Sequence, residues 1–315
     1  MAARMLAASA ALVCLMSGQV AAQDQPAWCK SKWGASDEIG AANYLTAETA
    51  LNASKLVKTG KVYPLGGQTN AQSPAYPPRC WSLIVTSPGQ AGGISLGSSK
   101  TSYNDDIWMG WVGVGTQIDG LGHIGIDNLY YNCNKNSDFV QVNGLKKLGV
   151  EKIPNFVTRG VLLDMAAYYG ADMVKEGTAF NRKEIDEAAA KQGVEIRRGD
   201  VVLFHTGWQS LVGKDDKRFL AGEPGLGREG AEYLVSKEVV AVGADQWAVE
   251  VIPFEPNAGV FEVHQILLAK NGTYILENIN TADLARDKAY EFMFVLGAPK
   301  ITGGVQSIIN PTAIR

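Results

Sequence analysis

Short apolar runs alternate along the chain with mixed polar segments that fit helices. The apolar runs predict strands over residues 160–163, 201–204, 239–242 and 274–276, and the mixed segments predict helices over residues 47–58, 182–191 and 228–237. Thr46 and Gly60 are the expected cap residues of the first helix. Strands that alternate with helices predict an α/β fold rather than a sandwich or a helical bundle.

A further apolar run, over residues 81–85, lies in a stretch rich in Gly, Ser and Pro that extends from residue 62 to residue 100. This composition predicts strands joined by long loops. No segment is long or polar enough to be read as a linker between two domains. We therefore expect a single domain after the N-terminal segment described next.

The first residues have the pattern of a secretory signal peptide. Arg4 precedes an almost uninterrupted apolar stretch over residues 5–16, and small residues lead up to Ala22. The apolar stretch is too short to span a bilayer, which takes about 20 residues. We therefore expect a signal peptide over residues 1–22 and a domain over residues 23–315, in a periplasmic or secreted protein with no membrane attachment after cleavage.

Composition and charge narrow the class of protein. The chain of 315 residues is 46% hydrophobic, which is typical of a packed globular protein. It carries 29 Lys and Arg against 32 Asp and Glu, and this net charge of −3 argues against nucleic acid as a partner. Cys29, Cys80 and Cys133 remain after the expected cleavage, so one disulfide and one free thiol are expected, although the sequence does not choose the pair.

The first candidate site lies around one of only three histidines in the chain. Gln117, Asp119 and His123 stand at even spacing, so an extended backbone would point all three side chains to one face. An amide, a carboxylate and an imidazole on one face suit a divalent metal or a general base. The alternative is an ordinary polar face of a sheet.

A second group of candidates lies downstream. His264 is followed by an apolar run that ends at Glu277 and Asn278. A buried carboxylate is costly unless it is paired or bound to a metal, so Glu277 is a candidate ligand. The alternative is a surface glutamate after an edge strand.

These residues make the chain resemble the cyclase-like metal-dependent hydrolases, which include bacterial kynurenine formamidase and isatin hydrolase. The family motif H-x-G-T-H-x-D-x-P-x-H corresponds to residues 113–123, with matches at Gly115, Thr116, Asp119 and His123. Gly113 and Gln117 replace the first two histidines of the motif, and Leu121 replaces its proline. Similar segments cover nearly the whole mature chain, namely residues 33–43, 159–164, 199–208 and 243–245, together with His264 and Glu277.

The resemblance implies a swivelling β/β/α fold with helices flanking a mixed sheet. It implies a metal-dependent hydrolase that opens an amide or ester bond in a small cyclic or aryl-linked amide or lactone. Because two histidine ligands are missing, we expect a single divalent metal, Zn²⁺ or Mn²⁺. The implied ligands are Asp119, His264 and Glu277, with Gln117 adding a carbonyl oxygen, and His123 is the implied acid/base residue. A homodimer or a larger homo-oligomer is also implied.

Two functions of other kinds stay open. Residues 93–97 match the G-x-S-x-G spacing of a nucleophile elbow, which would make Ser95 the nucleophile of a metal-free serine hydrolase. Loop-like residues follow Ser95, however, where the elbow needs a helix. The second alternative is a periplasmic small-molecule binding protein that kept the scaffold and lost the chemistry together with the two histidines.

The roles of several further residues are also open. Four aromatic residues near the first motif fit equally well as the wall of a binding site for a flat ring or as part of the core: Trp108, Trp111, Tyr130 and Tyr131. His205 matches no ligand position of the family and is interpreted as structural.

Overall fold

The computed structural model describes residues 25–86 and 95–315. The expected signal peptide lies outside the described residues, so its cleavage stays a prediction. The strands, in chain order, are β1 (Val62–Pro64), β2 (Trp81–Thr86), β3 (Asp105–Gly110), β4 (Gln117–Asp119), β5 (Leu129–Tyr130), β6 (Asn134–Lys135), β7 (Val140–Gln141), β8 (Gly144–Leu145), β9 (Phe156–Asp164), β10 (Ala179–Phe180), β11 (Val201–His205), β12 (Gly225–Leu226), β13 (Ala241–Ala244), β14 (Tyr274–Glu277), β15 (Glu291–Leu296), β16 (Gln306–Ile308) and β17 (Thr312–Ile314).

Helices lie between these strands. The α-helices are α1 (Ala47–Ser54), α2 (Asn136–Phe139), α3 (Met165–Tyr169), α4 (Arg182–Gln192), α5 (Asp216–Ala221), α6 (Arg228–Ser236), α7 (Glu262–His264) and α8 (Ala282–Arg286), and α7 continues as a π-helix over Gln265–Lys270. Short 3₁₀ turns cover Ala27–Cys29, Gly40–Tyr44, Tyr131–Cys133, Val150–Lys152 and Trp208–Leu211. None of the described helices is long and apolar enough to cross a membrane.

A nine-stranded mixed sheet organises the described residues, in the order β1-β17-β15-β9-β11-β13-β14-β4-β16. Its central strands β9, β11, β13 and β14 run parallel, and β15 and β4 join them antiparallel on either side. All four residues of β13 and the first four of β11 are buried, as in parallel strands that are covered on both faces. The predicted α/β fold with a mixed sheet is confirmed, although the strand predicted at residue 239 begins at Ala241.

The first helix begins where the sequence predicts and ends earlier. Thr46 Oγ1 accepts the Thr49 N–H at 3.2 Å, and Thr49 Oγ1 accepts the Thr46 N–H at 2.9 Å, which is a reciprocal N-cap. α1 ends at Ser54 rather than near residue 58, because the N–H groups of Leu56 and Val57 bond to carbonyls three residues back and tighten the chain into turns.

A disulfide joins the beginning of the described chain to the segment after β5. Cys29 and Cys133 form this bond, and their Cα atoms are 4.9 Å apart. Cys80 is free and exposed. The structure therefore chooses the pair that the sequence left open.

β2 and β3 form a two-stranded antiparallel ribbon that does not join the nine-stranded sheet within the described residues. The apolar run at residues 81–85 is a strand, as predicted, but it is not buried. Leu83, Ile84, Ile107 and Trp108 are all exposed by more than 40%. We call residues 81–86 and 105–110 the β2/β3 ribbon below.

Candidate metal and catalytic site

Three neighbouring strands bring four polar side chains to one face of the main sheet. β4 lies between β14 and β16, so Gln117 is directly opposite Glu277, and Asp119 is directly opposite Gln306. Residues two apart on a strand share a face, and so do directly opposed residues on antiparallel strands. Gln117, Asp119, Glu277 and Gln306 are all buried, with Asp119 fully enclosed.

His264 reaches this cluster from the junction between α7 and the π-helix. Its Nδ1 lies 2.5 Å from Glu250 Oε1, and a carboxylate in that position fixes Nδ1 as the protonated nitrogen. Its Nε2 lies 3.3 Å from Glu277 Oε1 and 3.8 Å from Asp119 Oδ2. Short π-helical segments are frequent at functional sites, and here one follows directly after His264.

Asp119, His264 and Glu277 form a candidate metal site, with ligand atoms that all lie within 4.8 Å of one another. Asp119 Oδ2 is buried and has no hydrogen-bond partner within the described residues. An unpaired buried carboxylate oxygen costs free energy, and a cation among these three ligand atoms would remove that cost. Two carboxylates and an imidazole whose other nitrogen binds a carboxylate suit a zinc or manganese ion.

The electrostatics of the cluster reflect an excess of buried acidic groups. Burial raises the pKa of Glu277 to about 7, and the nearby charge of Asp119 adds to this effect. Burial acts to lower the pKa of His264, but hydrogen bonds to Glu250 and Glu277 outweigh it and raise the pKa to about 10. Burial also raises the pKa of Glu223, which lies near Glu277 and Glu250. Four acidic residues thus share one buried region that a divalent cation would stabilise.

Gln117 lies in the cluster, but not in the orientation that the sequence suggested. Its Nε2 donates hydrogen bonds to Glu277 Oε2 at 2.8 Å and to Asp119 Oδ1 at 3.1 Å. The structure therefore presents the amide nitrogen, and not the expected carbonyl oxygen, to the two carboxylates. The assignment of Gln117 as a metal ligand stays a prediction.

His123 reaches the same site by a route that the spacing did not predict. The extended segment ends at Asp119, and the chain then turns so that the His123 N–H bonds to Gly120 O at 3.0 Å. The turn leaves His123 Nε2 at 3.8 Å from Asp119 Oδ2 and 3.4 Å from Gln306 Nε2. Burial lowers the pKa of His123, so its ring is neutral at neutral pH and is able to accept a proton.

A cavity of about 180 Å³ opens onto this group. Its floor includes His123, His264 and Glu277, and half of its other lining residues are aromatic. Tyr76 stacks on Trp247 with ring centres 5.4 Å apart, and Phe261 packs edge-on against His264 with centres 5.3 Å apart. The chain therefore has an aromatic pocket beside the candidate metal site.

The pocket aromatics are not the four residues that the sequence singled out. Tyr131 is buried and hydrogen-bonded to Asp37, Tyr130 packs on Phe139, and Trp108 and Trp111 are exposed. Residues near the motif in sequence diverge in space because the ribbon and the disulfide-linked segment carry them away from the sheet. Sequence reasoning also missed Glu250 and Gln306, for which no local pattern gives a signal.

Three other sequence predictions have structural outcomes. Glu277 is buried on a strand that pairs on both sides, so the alternative of a surface glutamate after an edge strand is wrong. Ser95 is exposed and leads into a turn closed by a bridge between Leu96 and Thr101, so the described residues do not form the helix of a nucleophile elbow. His205 Nδ1 lies 2.8 Å from Thr281 Oγ1 and 3.3 Å from Asp245 Oδ2, away from the cluster.

Comparisons with known proteins find cyclase-like relatives. The family model described as putative cyclase matches residues 16–251. A crystal structure of a protein described as a novel cyclase is 29% identical, with a TM-score of 0.81 over 90% of this chain and 98% of its own. No curated protein matches the sequence.

Two more distant structures share the fold. Isatin hydrolase A from Ralstonia solanacearum is 20% identical, with a TM-score of 0.62 over 86% of this chain and 98% of its own. A potential metal-dependent hydrolase with cyclase activity is 17% identical, with a TM-score of 0.52 over 80% of this chain and 98% of its own.

Proposed function

The chain belongs to the putative cyclase family, and on that premise we propose that it is an exported hydrolase that depends on one divalent metal ion. Its substrate is a small cyclic or aryl-linked amide or lactone, in which it opens a C–N or ester bond. The observation that carries this proposal is the buried group of Asp119, His264 and Glu277, with one carboxylate oxygen left unpaired, at the floor of an aromatic cavity.

Each residue of the group has a separate part in the proposed reaction. Asp119, His264 and Glu277 would hold the metal, and Glu250 fixes the imidazole of His264 so that Nε2 faces the two carboxylates. A bound divalent ion supplies Lewis acidity toward a carbonyl and lowers the pKa of water. His123 takes the proton from the attacking water and then returns a proton to the departing nitrogen or oxygen.

The surroundings of Asp119 support one metal rather than two. The amide nitrogen of Gln117 bonds to both carboxylates, and Gln306 Nε2 donates to Asp119 Oδ1 at 2.7 Å. Amide N–H groups thus occupy acceptor positions on Asp119 and Glu277 that a second cation would need. Gln117 is accordingly proposed to orient the carboxylates.

The size and lining of the cavity support a small, flat substrate. About 180 Å³ holds a single ring with few substituents, and Tyr76, Trp247 and Phe261 offer faces and edges for stacking. Isatin, the compound in the name of one structural neighbour, is a flat cyclic amide. Lactones, cyclic imides and aryl formamides form the matching screen.

Metal content tests the proposal directly. Elemental mass spectrometry of the purified protein, before and after chelation and reloading, is expected to find about one zinc or manganese ion per chain. Asp119→Ala and His264→Ala are expected to lose the metal, whereas His123→Ala keeps the metal and loses hydrolysis. His205→Asn is the matched control because it changes a histidine outside the cluster, and it is expected to keep both.

Other outcomes point to the alternatives. Full metal content in both ligand variants would reject the site. A protein that takes up no metal, ignores chelators and reacts with serine-directed reagents would be the Ser95 hydrolase. A protein that binds ring compounds without turnover, with unchanged affinity in His123→Ala, would be the binding protein.

Export is part of the proposal and has support from the disulfide. Disulfides persist in oxidising compartments, and Cys29 and Cys133 form one. Expression of the full chain in a Gram-negative host is expected to yield a periplasmic protein that begins at Gln23. An intact N-terminus on protein from the cytoplasmic fraction would refute export.

The β2/β3 ribbon supports a homodimer. A two-stranded hairpin alone is marginally stable in water, and this one exposes apolar side chains on both faces, with Leu83 opposite Trp108 and Ile84 opposite Ile107. We take a second copy of the chain as the partner that covers it. Light scattering is expected to give twice the chain mass for the wild type and the single mass for Leu83→Lys/Ile107→Lys.

The control for the dimer is Leu51→Lys, which changes an exposed leucine on α1. It is expected to leave the mass at that of the dimer. A monomeric wild type would reject the homodimer.

A further inference from the structure

One wall of the aromatic cavity carries a guanidinium that neither the metal site nor the proposed proton transfers use. The Arg79 N–H bonds to Tyr76 O at 3.0 Å, and this turn places Tyr76 and Arg79 side by side on the cavity wall. Among the described residues that line the cavity, Arg79 is the only permanent cation. It faces a floor that contains Glu277, His123 and His264.

Most of the hydrogen-bonding capacity of Arg79 is unused. Its Nη1 donates to Gly113 O at 3.1 Å, and its side chain makes no other hydrogen bond with the described residues. No carboxylate oxygen of the described residues lies within 4.0 Å of the Arg79 guanidinium, so Arg79 forms no ion pair with them. A guanidinium has five N–H donors in a flat fork that matches the two oxygens of a carboxylate. Arg79 is therefore a half-buried cation with free donors at the edge of a binding cavity.

The glycine at position 113 makes room for this guanidinium. A Cβ atom at Gly113 would lie 2.9 Å from Arg79 Nη1 and 2.6 Å from Gln306 Oε1, closer than such contacts occur. Any side chain at position 113 would push both groups aside. The observed position of the Arg79 guanidinium thus depends on the absence of a side chain at position 113.

We propose that Arg79 binds a carboxylate of the substrate, so that the enzyme prefers small ring amides or lactones that carry an anionic group. This inference rests on the proposed function for the scissile bond and adds the substrate class. Asp119 and Glu277 would neutralise the divalent ion that they hold at the floor, so Arg79 remains as the positive charge among the described lining residues and attracts an anion to the wall. A ring between Tyr76 and Phe261 would then keep its uncharged amide or ester carbonyl toward the floor.

Binding of benzoate and of its neutral analogue benzamide tests this subsite without any turnover. Both compounds are titrated into the metal-loaded protein, and binding is followed by isothermal titration calorimetry. Arg79→Gln is expected to weaken benzoate binding by about 10- to 100-fold, the range for a hydrogen bond to a charged group. Benzamide is uncharged, so it would lose only a neutral hydrogen bond, whose net contribution to binding is small. Its affinity is therefore expected to change by less than about threefold.

Three further variants separate the subsite from general effects. Lys183→Gln removes one positive charge from the exposed side of α4 and is expected to change neither affinity. Arg79→Lys keeps the charge without the fork and is expected to recover part of the benzoate affinity. Gly113→Ala is expected to weaken benzoate binding while the metal content stays at the wild-type value.

The subsite and the proposed function fail in different ways. Equal benzoate affinity in the wild type and in Arg79→Gln, at equal metal content, would overturn the subsite. Hydrolysis is then measured with a pair of aryl formamides that differ only in a ring carboxylate. Turnover of both at rates independent of Arg79 would also overturn the subsite and leave the hydrolase standing. No turnover of either, with Arg79-dependent benzoate binding, would overturn the hydrolase and support the subsite.

Discussion

Glu250 offers the sharpest test of how the candidate metal site is built, because it touches the cluster only through His264. Its carboxylate accepts a hydrogen bond from His264 Nδ1 at 2.5 Å. It also accepts hydrogen bonds from the backbone N–H groups of Val263, at 3.4 Å, and of His264, at 3.3 Å. Glu250→Gln keeps the size and one accepting oxygen and removes the negative charge. The imidazole then becomes a weaker donor of electrons to a metal, since its partner is no longer anionic.

The expected loss of metal affinity is about 10- to 100-fold, which corresponds to roughly 1.4 to 2.8 kcal/mol. The metal-free protein is expected to lose stability as well. Its His264 is protonated at neutral pH, because the pKa is raised to about 10, and Glu250 is hydrogen-bonded to that imidazolium. Removing the charge of Glu250 leaves the buried imidazolium with one partner fewer, so the free energy of unfolding of the metal-free variant should be lower than that of the wild type, although repulsion on Glu223 is relieved.

Competition with a chelating dye measures the dissociation constant for Zn²⁺ in both proteins, and urea unfolding measures the stability of the metal-free forms. The matched control is Glu262→Gln on α7, the helix that ends at His264; the Glu262 carboxylate accepts the Gly259 N–H and pairs with Arg228. A change of less than twofold in Glu250→Gln, or an equal loss in the control, would refute the idea that Glu250 acts through His264.

Three further predictions concern stability. Burial acts to lower the pKa of His205, but Asp245 outweighs it and raises the pKa above its usual value. The stabilisation of the folded state by protonated His205 is therefore complete below pH 6.5 and declines as pH rises through the folded pKa. The difference in unfolding free energy between the wild type and His205→Asn should be larger at pH 5.5 than at pH 9, and the opposite trend would contradict this assignment. The Cys29→Ser/Cys133→Ser variant opens a loop with a sequence separation of 104 residues and should lose about 4 kcal/mol in urea unfolding, whereas Cys80→Ser should lose almost nothing. Gly40→Ala places a Cβ atom 2.4 Å from Gly272 O at a φ of +53°, so the free energy of unfolding should fall by about 3 kcal/mol or more. Gly60→Ala is the control, because its φ is +71° but nothing lies within 4 Å of the new Cβ atom, and it should lose only about 1 kcal/mol. Equal losses in the two variants would show that the close contact at Gly40 is relieved by a shift of the chain.

The local parts of the fold were accessible from sequence because they depend on neighbouring residues. The strand at Val201–His205 is an apolar run in which the first four side chains are buried, and the N-cap at Thr46 is a contact between residues three apart. The end of α1 was placed too late, because the balance between helical and turn hydrogen bonds after Ser54 is small. The apolar run that forms β2 was readable as a strand, while its exposure and its partner β3 were not.

For the candidate site, the residue types were accessible from sequence, whereas their arrangement was not. Asp119, His264 and Glu277 were chosen for their chemistry and for the family motif, and the structure brings their ligand atoms within 4.8 Å of one another. The spacing argument placed His123 on an extended strand, whereas a turn at Gly120 carries it to Asp119. The sequence predicted the carbonyl oxygen of Gln117 at the metal, whereas the structure turns its amide nitrogen to the carboxylates. It also offered an aromatic wall from residues near the motif, whereas Tyr76, Trp247 and Phe261 line the cavity.

The sequence by itself determined the α/β class, the approximate positions of β2, of the central strands β9, β11, β13 and β14 and of the helices α1, α4 and α6, and the residue types able to hold a metal. These follow from backbone preferences and from the chemistry of single side chains. Only the tertiary structure decided that Glu277 lies opposite Gln117, that Gln306 lies opposite Asp119, that Glu250 holds His264, and that Cys29 pairs with Cys133. These contacts join residues far apart in the chain. Strand order and register place them together, and both are set by packing of the whole core rather than by any local segment.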